Sequence, residues 1–233
     1  MGPDRRPIVG IVAKYSPRIE NRSPDRPYAL FDDEMKQALI DAGAVTIGIM
    51  SPKRHNRLTQ IYQPLSKCLL PAELENLRTQ LSLCQGIVLL GGHRIAEYEY
   101  AVADLAYQLN MPTLGVCRGQ TIMGRVLGAD NIKVDGTVHD QPKADYVHDI
   151  TVLSGTQFHD IVQTDTMRVN SRHNYELIAN DKFRASAISP DGYAEVTEAP
   201  DKKFYMGVRF HPESLYRHDP LMQRIFEAFV ASL

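Results

Sequence analysis

An apolar run, Ile8 to Ala13, stands near the start of the chain between Pro7 and Lys14. It shows no alternation, which predicts a strand covered on both faces. Leu30, Met35, Ala38, Leu39 and Ala42 then recur at near-helical spacing over 28–42, and Gly43 ends the pattern. Val45 to Met50 reads as a second strand. Pro71 opens a helix over 72–83, with Leu74, Leu77 and Leu81 on one side. Ile87 to Leu90 forms a third strand, punctuated by Gly91-Gly92. A helix is expected over 97–109. Thr113 to Val116 is a short strand that runs into Cys117, and 118–127 returns to helical spacing. Strands alternating with helices of this length predict βαβ units and a parallel sheet.

The second half differs. Strand-like segments over 148–153, 184–189, 193–197 and 205–210 are separated by turns such as Ser189-Pro190-Asp191-Gly192. They read as an antiparallel extension of the same sheet. A last helix is expected over 218–231. The stretches 14–27 and 51–70 read as long loops over a ligand mouth, because long loops in compact domains are often functional. No internal repeat, low-complexity segment or linker interrupts the pattern.

Composition narrows the classes. A chain of 233 residues fits one sizeable core. A hydrophobic share of 43% and a charged share of 23% are ordinary for a soluble globular protein. The net charge of −2, with no basic block, argues against a nucleic-acid partner. No apolar run approaches the ~20 residues of a membrane span, so no membrane partner is expected. The N-terminal apolar run is too short and too soon interrupted for a signal peptide, and the cytoplasm is the expected location. Cys68, Cys84 and Cys117 form neither a disulfide framework nor a zinc-type pair. Cys68 lies among leucines and Cys84 ends a helix, so both are expected to pack. His139, His148, His159 and His218 lack ligand-like spacing, and no metal or cofactor is expected.

The chemistry centres on Leu114-Gly115-Val116-Cys117-Arg118-Gly119. A strand ends at Cys117 and a helix begins at once, which is the layout of a nucleophile elbow. A helix N-terminus behind the sulfur favours the thiolate. Backbone N–H groups of Arg118 and of the Gly91-Gly92 turn are placed to stabilise an oxyanion. The competing reading is a packed cysteine in an ordinary βα turn. A second motif is Gly207-Val208-Arg209-Phe210-His211-Pro212-Glu213. Parallel strands end on one side of a sheet, so His211 can approach Cys117 as its base, with Glu213 orienting the imidazole.

Together these two motifs resemble the class I glutamine amidotransferase superfamily, and within it the gamma-glutamyl hydrolase-like branch. Pro7-Ile8-Val9-Gly10-Ile11, Leu89-Leu90-Gly91-Gly92, Glu99, the segment His148 to Val152 and Val169-Asn170-Ser171-Arg172-His173 fit the same pattern in order. The resemblance implies a flavodoxin-like three-layer α/β fold. Its central sheet is mostly parallel with an antiparallel extension, in a single amidotransferase-like domain over 1–233. It implies a Cys117–His211–Glu213 triad that splits a gamma-glutamyl amide through a thioester and needs no cofactor. Substrate-binding roles fall to Gly91, Gly92, Arg118, Gln120, Thr121, Ser171, Arg172, His173 and Arg209.

The chain departs from the family at four places. The family's glutamine four residues after the cysteine is Thr121 here, with Gln120 one place earlier. Its Ser-x-His-x-Gln is Ser171-Arg172-His173-Asn174-Tyr175, and the glutamine before Phe-His-Pro-Glu is Arg209. The loop from His93 to Tyr98 is short. Arg209 reads either as a solvated charge on a strand face or, with Arg118 and Arg172, as a contact for an anionic part of the substrate. His93 either lines the pocket or is solvated. Tyr98 and Tyr100 either flank the mouth or cover their helix. The leading expectation is a free-standing hydrolase of a small gamma-glutamyl amide, with a homodimer left open. A glutaminase subunit feeding ammonia to a synthase partner is the alternative, and a non-catalytic module on the same fold is a third.

Overall fold

A computed structural model describes residues 6–16, 27–53 and 55–233. Residues 1–5, 17–26 and 54 lie outside the described residues, and with them the start of the chain and most of the loop expected over 14–27.

The strands are β1 (Ile8–Val12), β2 (Lys14–Ser16), β3 (Tyr28–Leu30), β4 (Val45–Ile49), β5 (Gly86–Leu89), β6 (Thr113–Val116) and β7 (Asp130–Lys133). They continue as β8 (His148–Val152), β9 (Thr166–Val169), β10 (Tyr175–Ile178), β11 (Arg184–Ile188), β12 (Ala194–Glu198) and β13 (Tyr205–Val208). Nine of them form one sheet in the order β4-β1-β5-β6-β13-β12-β11-β8-β9. The pairs from β4 to β13 are parallel, and those from β13 onward are antiparallel. The expected parallel core with an antiparallel extension is therefore the observed architecture.

Burial explains the order. Every residue of β5, β6 and β13 is buried, as suits strands covered on both faces. One apolar cluster gathers Met35, Phe226 and Phe229 on the side of the helices Asp33–Asp41 and Pro220–Ala231. Another gathers Leu77, Tyr100 and Met123 on the side of the helices Pro71–Ser82, Glu97–Gln108 and Arg118–Val126. Helices on both faces of one sheet give three layers. The helix starts follow local chemistry. Asp32 caps the first helix by accepting from the Met35 amide, and Asp219 caps the last by accepting from Leu221.

Several segments differ from expectation, among them β9 and the helix Gln157–Val162, for which no element was expected. The helical spacing over 28–42 yields a helix only from Asp33, because Tyr28–Leu30 pairs with β2 instead. The 51–70 loop contains the short helix Leu65–Cys68. β7 and β10 pair with each other in a small separate sheet, and neither has a clear sequence pattern. No helix among the described residues is long and apolar enough to cross a membrane.

Candidate active site

Register sets the site. β6 and β13 are parallel neighbours, with Val116 beside Val208. The two strands therefore end together, and Cys117 and His211 leave the sheet at the same edge. The Cys117 amide donates to the Val208 carbonyl at 2.7 Å, which locks the turn to β13. Cys117 has φ 52° and ψ −104°, a conformation that L residues rarely adopt. Such strain is held only where the surroundings over-determine it, and it pushes the side chain out of the sheet edge. Gly119 permits the tight turn, since a Cβ there would run into the Leu89 carbonyl.

The His211 backbone is clamped by Asn170. Its amide donates to Asn170 Oδ1 at 2.7 Å, and Asn170 Nδ2 donates to its carbonyl at 2.9 Å. Glu213 Oε1 lies 2.7 Å from His211 Nδ1, which leaves Nε2 for the thiol. Burial alone would raise the Cys117 pKa, but the charge and hydrogen bond of His211, then Arg209, bring it below its ordinary value. Burial opposes the charge on His211, yet Glu213 and Cys117 lift its pKa well above that of a free imidazole. These opposed shifts favour a thiolate beside an imidazolium.

Cys117 opens into a cavity of about 490 Å³. Gly92, Arg118, Thr121, Arg172, His173 and Arg209 line it, as does His93. Gly91 sits against the imidazole, where a Cβ would lie 2.8 Å from His211 Cε1. Tyr98 and Tyr100 are buried in the core and do not flank the mouth. Cys68 and Cys84 are buried, and burial raises both thiols.

The structure corrects four readings. Gln120 does not reach the cavity: it is fully buried, and its Nε2 donates to the Ala194 carbonyl at 3.2 Å. Ser171 is also fully buried behind the lining and is bonded to His173 Nε2 at 2.9 Å. Arg118 is committed to protein. Its guanidinium meets both oxygens of Glu99, at 2.5 Å and 3.3 Å, and is not free for a substrate anion. Arg209 is not a solvated strand charge, being only 2% exposed. Its Nη1 donates to Thr121 Oγ1 at 3.0 Å and to the Cys117 carbonyl at 3.3 Å.

Linear spacing also hid a cluster. His139, the pair His173 and Glu176, and Glu195 come from three segments, yet they lie together and buried beside the cavity wall. Burial pushes the Glu176 carboxyl up to about 8, although Arg209 opposes this. Arg125 lines the cavity as well and was not anticipated. It lies four residues after Thr121 on the same helix, so helical periodicity placed it on that face.

The fold and this site define the class, an α/β protein with the fold of the class I glutamine amidotransferases. The chain belongs to the Peptidase C26 family, whose model matches residues 7–213. It is 32% identical over 145 residues to Protein NtpR of Enterococcus hirae, across 57% of this chain and 60% of that protein. It is 31% identical over 148 residues to the glutamine-hydrolysing GMP synthase of Lacticaseibacillus rhamnosus, across 61% of this chain and 28% of that protein. The Trypanosoma brucei CTPS glutaminase domain with bound acivicin is similar in structure, with a TM-score of 0.61 at 16% identity. That likeness covers 96% of this chain and 93% of that one, and it establishes the fold alone.

Proposed function

We propose that the chain hydrolyses a gamma-glutamyl amide through a Cys117 thioester. The observation that carries this is the Cys117–His211 pair, with Glu213 2.7 Å from His211 Nδ1, at the mouth of a cavity of about 490 Å³. The Cys117 thiolate attacks the side-chain carbonyl carbon, and the electron pair moves to oxygen. The amides of Arg118 and the Gly91-Gly92 turn stabilise that oxyanion. The intermediate collapses, the C–N bond breaks, and His211 gives its proton to the departing amine. His211 then takes a proton from water, which attacks the thioester carbonyl. Glutamate leaves and the thiolate returns.

The cavity wall favours an anionic substrate. Arg125 and Arg172 line it, and the Nε of each is buried without a hydrogen-bond partner. Arginine forks suit a carboxylate or phosphate. One carboxylate belongs to the glutamyl group itself, and a second would belong to the leaving amine.

A second reading is a glutaminase that hands ammonia to a synthase. The likeness to the glutamine-hydrolysing GMP synthase favours it. Glutamate release separates the two when the purified chain is incubated with glutamine and with a panel of gamma-glutamyl amides. Turnover of an amide by the chain alone supports the hydrolase. Turnover of glutamine alone, and only after a synthase is added, supports the second reading. Full activity in Cys117→Ala sinks both.

A further inference from the structure

We propose that His139, His173, Glu176 and Glu195 form a closed site for one divalent ion of the zinc type, behind the wall of the catalytic cavity. One ligand atom from each lies within 4.8 Å of all the others. The four side chains are at most 7% exposed.

The orientation of the imidazoles is the strongest sign. His139 Nε2 is held by Asp191 Oδ2 at 2.8 Å, and His173 Nε2 by Ser171 Oγ at 2.9 Å. Each ring thus turns Nδ1 inward, and neither Nδ1 has a hydrogen-bond partner. Histidines that bind a metal are usually fixed through their other nitrogen in this way. The two Nδ1 atoms lie 3.6 Å and 3.2 Å from Glu176 Oε1. A tetrahedron with arms of about 2.0–2.1 Å has edges of about 3.3 Å, so these two edges fit zinc, while Glu195, 3.9 Å from His173 Nε2, must draw in to complete the shell.

The carboxylates point the same way. Both oxygens of Glu176 and both of Glu195 are buried without a hydrogen bond. Glu195 is approached by His148 Nε2 at 3.3 Å, and Glu176 Oε2 by Arg209 Nε at 3.7 Å. Buried polar atoms are nearly always satisfied, and orphans this dense need a common partner. A dication satisfies both acids and both rings at once. Two imidazoles with two carboxylates suit zinc better than calcium or magnesium, which take oxygen shells. Four protein ligands leave no open position, so the ion is structural. It would fix Glu176, and through Arg209 the floor under Cys117.

Zinc binding to the untagged full chain tests this, by competition with a chromophoric chelator after exhaustive chelation. We expect one equivalent to bind in wild type and in Cys117→Ala, and none in Glu176→Gln or His139→Gln. Asp191→Ala removes only the carboxylate behind His139, and it should weaken binding by about 10–100-fold. Anomalous diffraction at the zinc edge from wild-type crystals should place the ion among the four side chains, whether or not the variants fold. No uptake by wild type overturns the proposal. So does uptake that vanishes in Cys117→Ala, which would put the ion on the nucleophile.

Discussion

Arg209 Nη1 donates to Thr121 Oγ1 at 3.0 Å. Both residues stand where the resembled superfamily carries glutamine. Two departures far apart in sequence therefore meet as one contact, directly behind the Cys117 carbonyl. The contacts Arg209 makes through Nη1 are those of a brace for the nucleophile turn, although it also lines the cavity with Nη2 unpartnered. Replacing it with alanine should slow every gamma-glutamyl amide by a similar factor and leave the ranking of substrates unchanged. The pair should also couple. A stability cycle of Arg209→Ala and Thr121→Ala should give an interaction energy of about 0.5–3 kcal/mol. A value indistinguishable from zero would show that the contact carries no energy.

The opposed pKa shifts of Cys117 and His211 predict a pH dependence. Cys117 is held below its ordinary pKa and His211 above its own. Activity should rise as pH climbs through the lower value and fall as it climbs through the upper one. Inactivation by iodoacetamide reads the lower limb directly. Its midpoint should lie below the ordinary thiol value of about 8.5. In His211→Gln the midpoint should move upward, because the largest lowering influence is gone. A wild-type midpoint at or above 8.5 contradicts the resting ion pair.

Glu213 holds His211 by its Nδ1 at 2.7 Å. Glu213→Gln keeps the size but loses the charge, and it can present an N–H where an acceptor is needed. The turnover number should fall by about 10²–10⁴-fold, in the range expected when general acid–base catalysis is lost. Circular dichroism should remain native. A rate within twofold of wild type would remove Glu213 from the machinery.

The elbow was legible in the sequence because a strand, a cysteine, two flanking glycines and a helix follow one another without a gap. His211 needed only the rule that parallel strands end on one side. The burial of Gln120 and of Arg209 is not legible in the sequence, for one shared reason. Sequence does not tell which face of a short helix or strand end turns inward, and here Gln120 packs against Gly207 while Arg209 turns toward Glu176. The histidine–glutamate cluster was invisible because its members come from three segments, and only His173 and Glu176, three residues apart, are linked by local spacing. β7 and β10 were missed because their burial patterns show no clean alternation of two faces.

Arg118 and Glu99 form a bidentate pair whose side chains are 5% and 1% exposed. Glu99 also accepts from the Ala96 amide at 3.0 Å, so it ties two helix starts together. Burial pushes the Glu99 carboxyl up even against the pull of Arg118, so the low end of the usual range applies. Glu99→Ala leaves a buried guanidinium without its partner and should destabilise the chain by about 3 kcal/mol. At roughly 2–4 °C per kcal/mol for a chain of this size, Tm should fall by about 10 °C. Thermal unfolding measures this, and an unchanged Tm would mean that water replaces the carboxylate.

Of the cavity arginines with an unpartnered nitrogen, Arg209 is engaged by the Cys117 turn, which leaves Arg125 and Arg172. Arg172 uses Nη1 on Ser214 Oγ at 3.1 Å, and its Nε has no partner. Arg125 Nε is likewise unpartnered, and the residue lies one turn beyond Thr121 on the helix that starts at the nucleophile. If the leaving amine carries an acid, one of these two should bind it. Arg125→Ala should then raise KM for gamma-glutamyl amides of acidic amines by roughly 10-fold or more, as expected when about 1.5–3 kcal/mol of charge-assisted hydrogen bonding is lost. Amides of neutral amines should keep their KM. The split between the two substrate sets is the diagnostic result, because general damage to the helix would affect both alike. Equal losses on both sets would assign Arg125 to the fold and leave Arg172 to be tested in the same way.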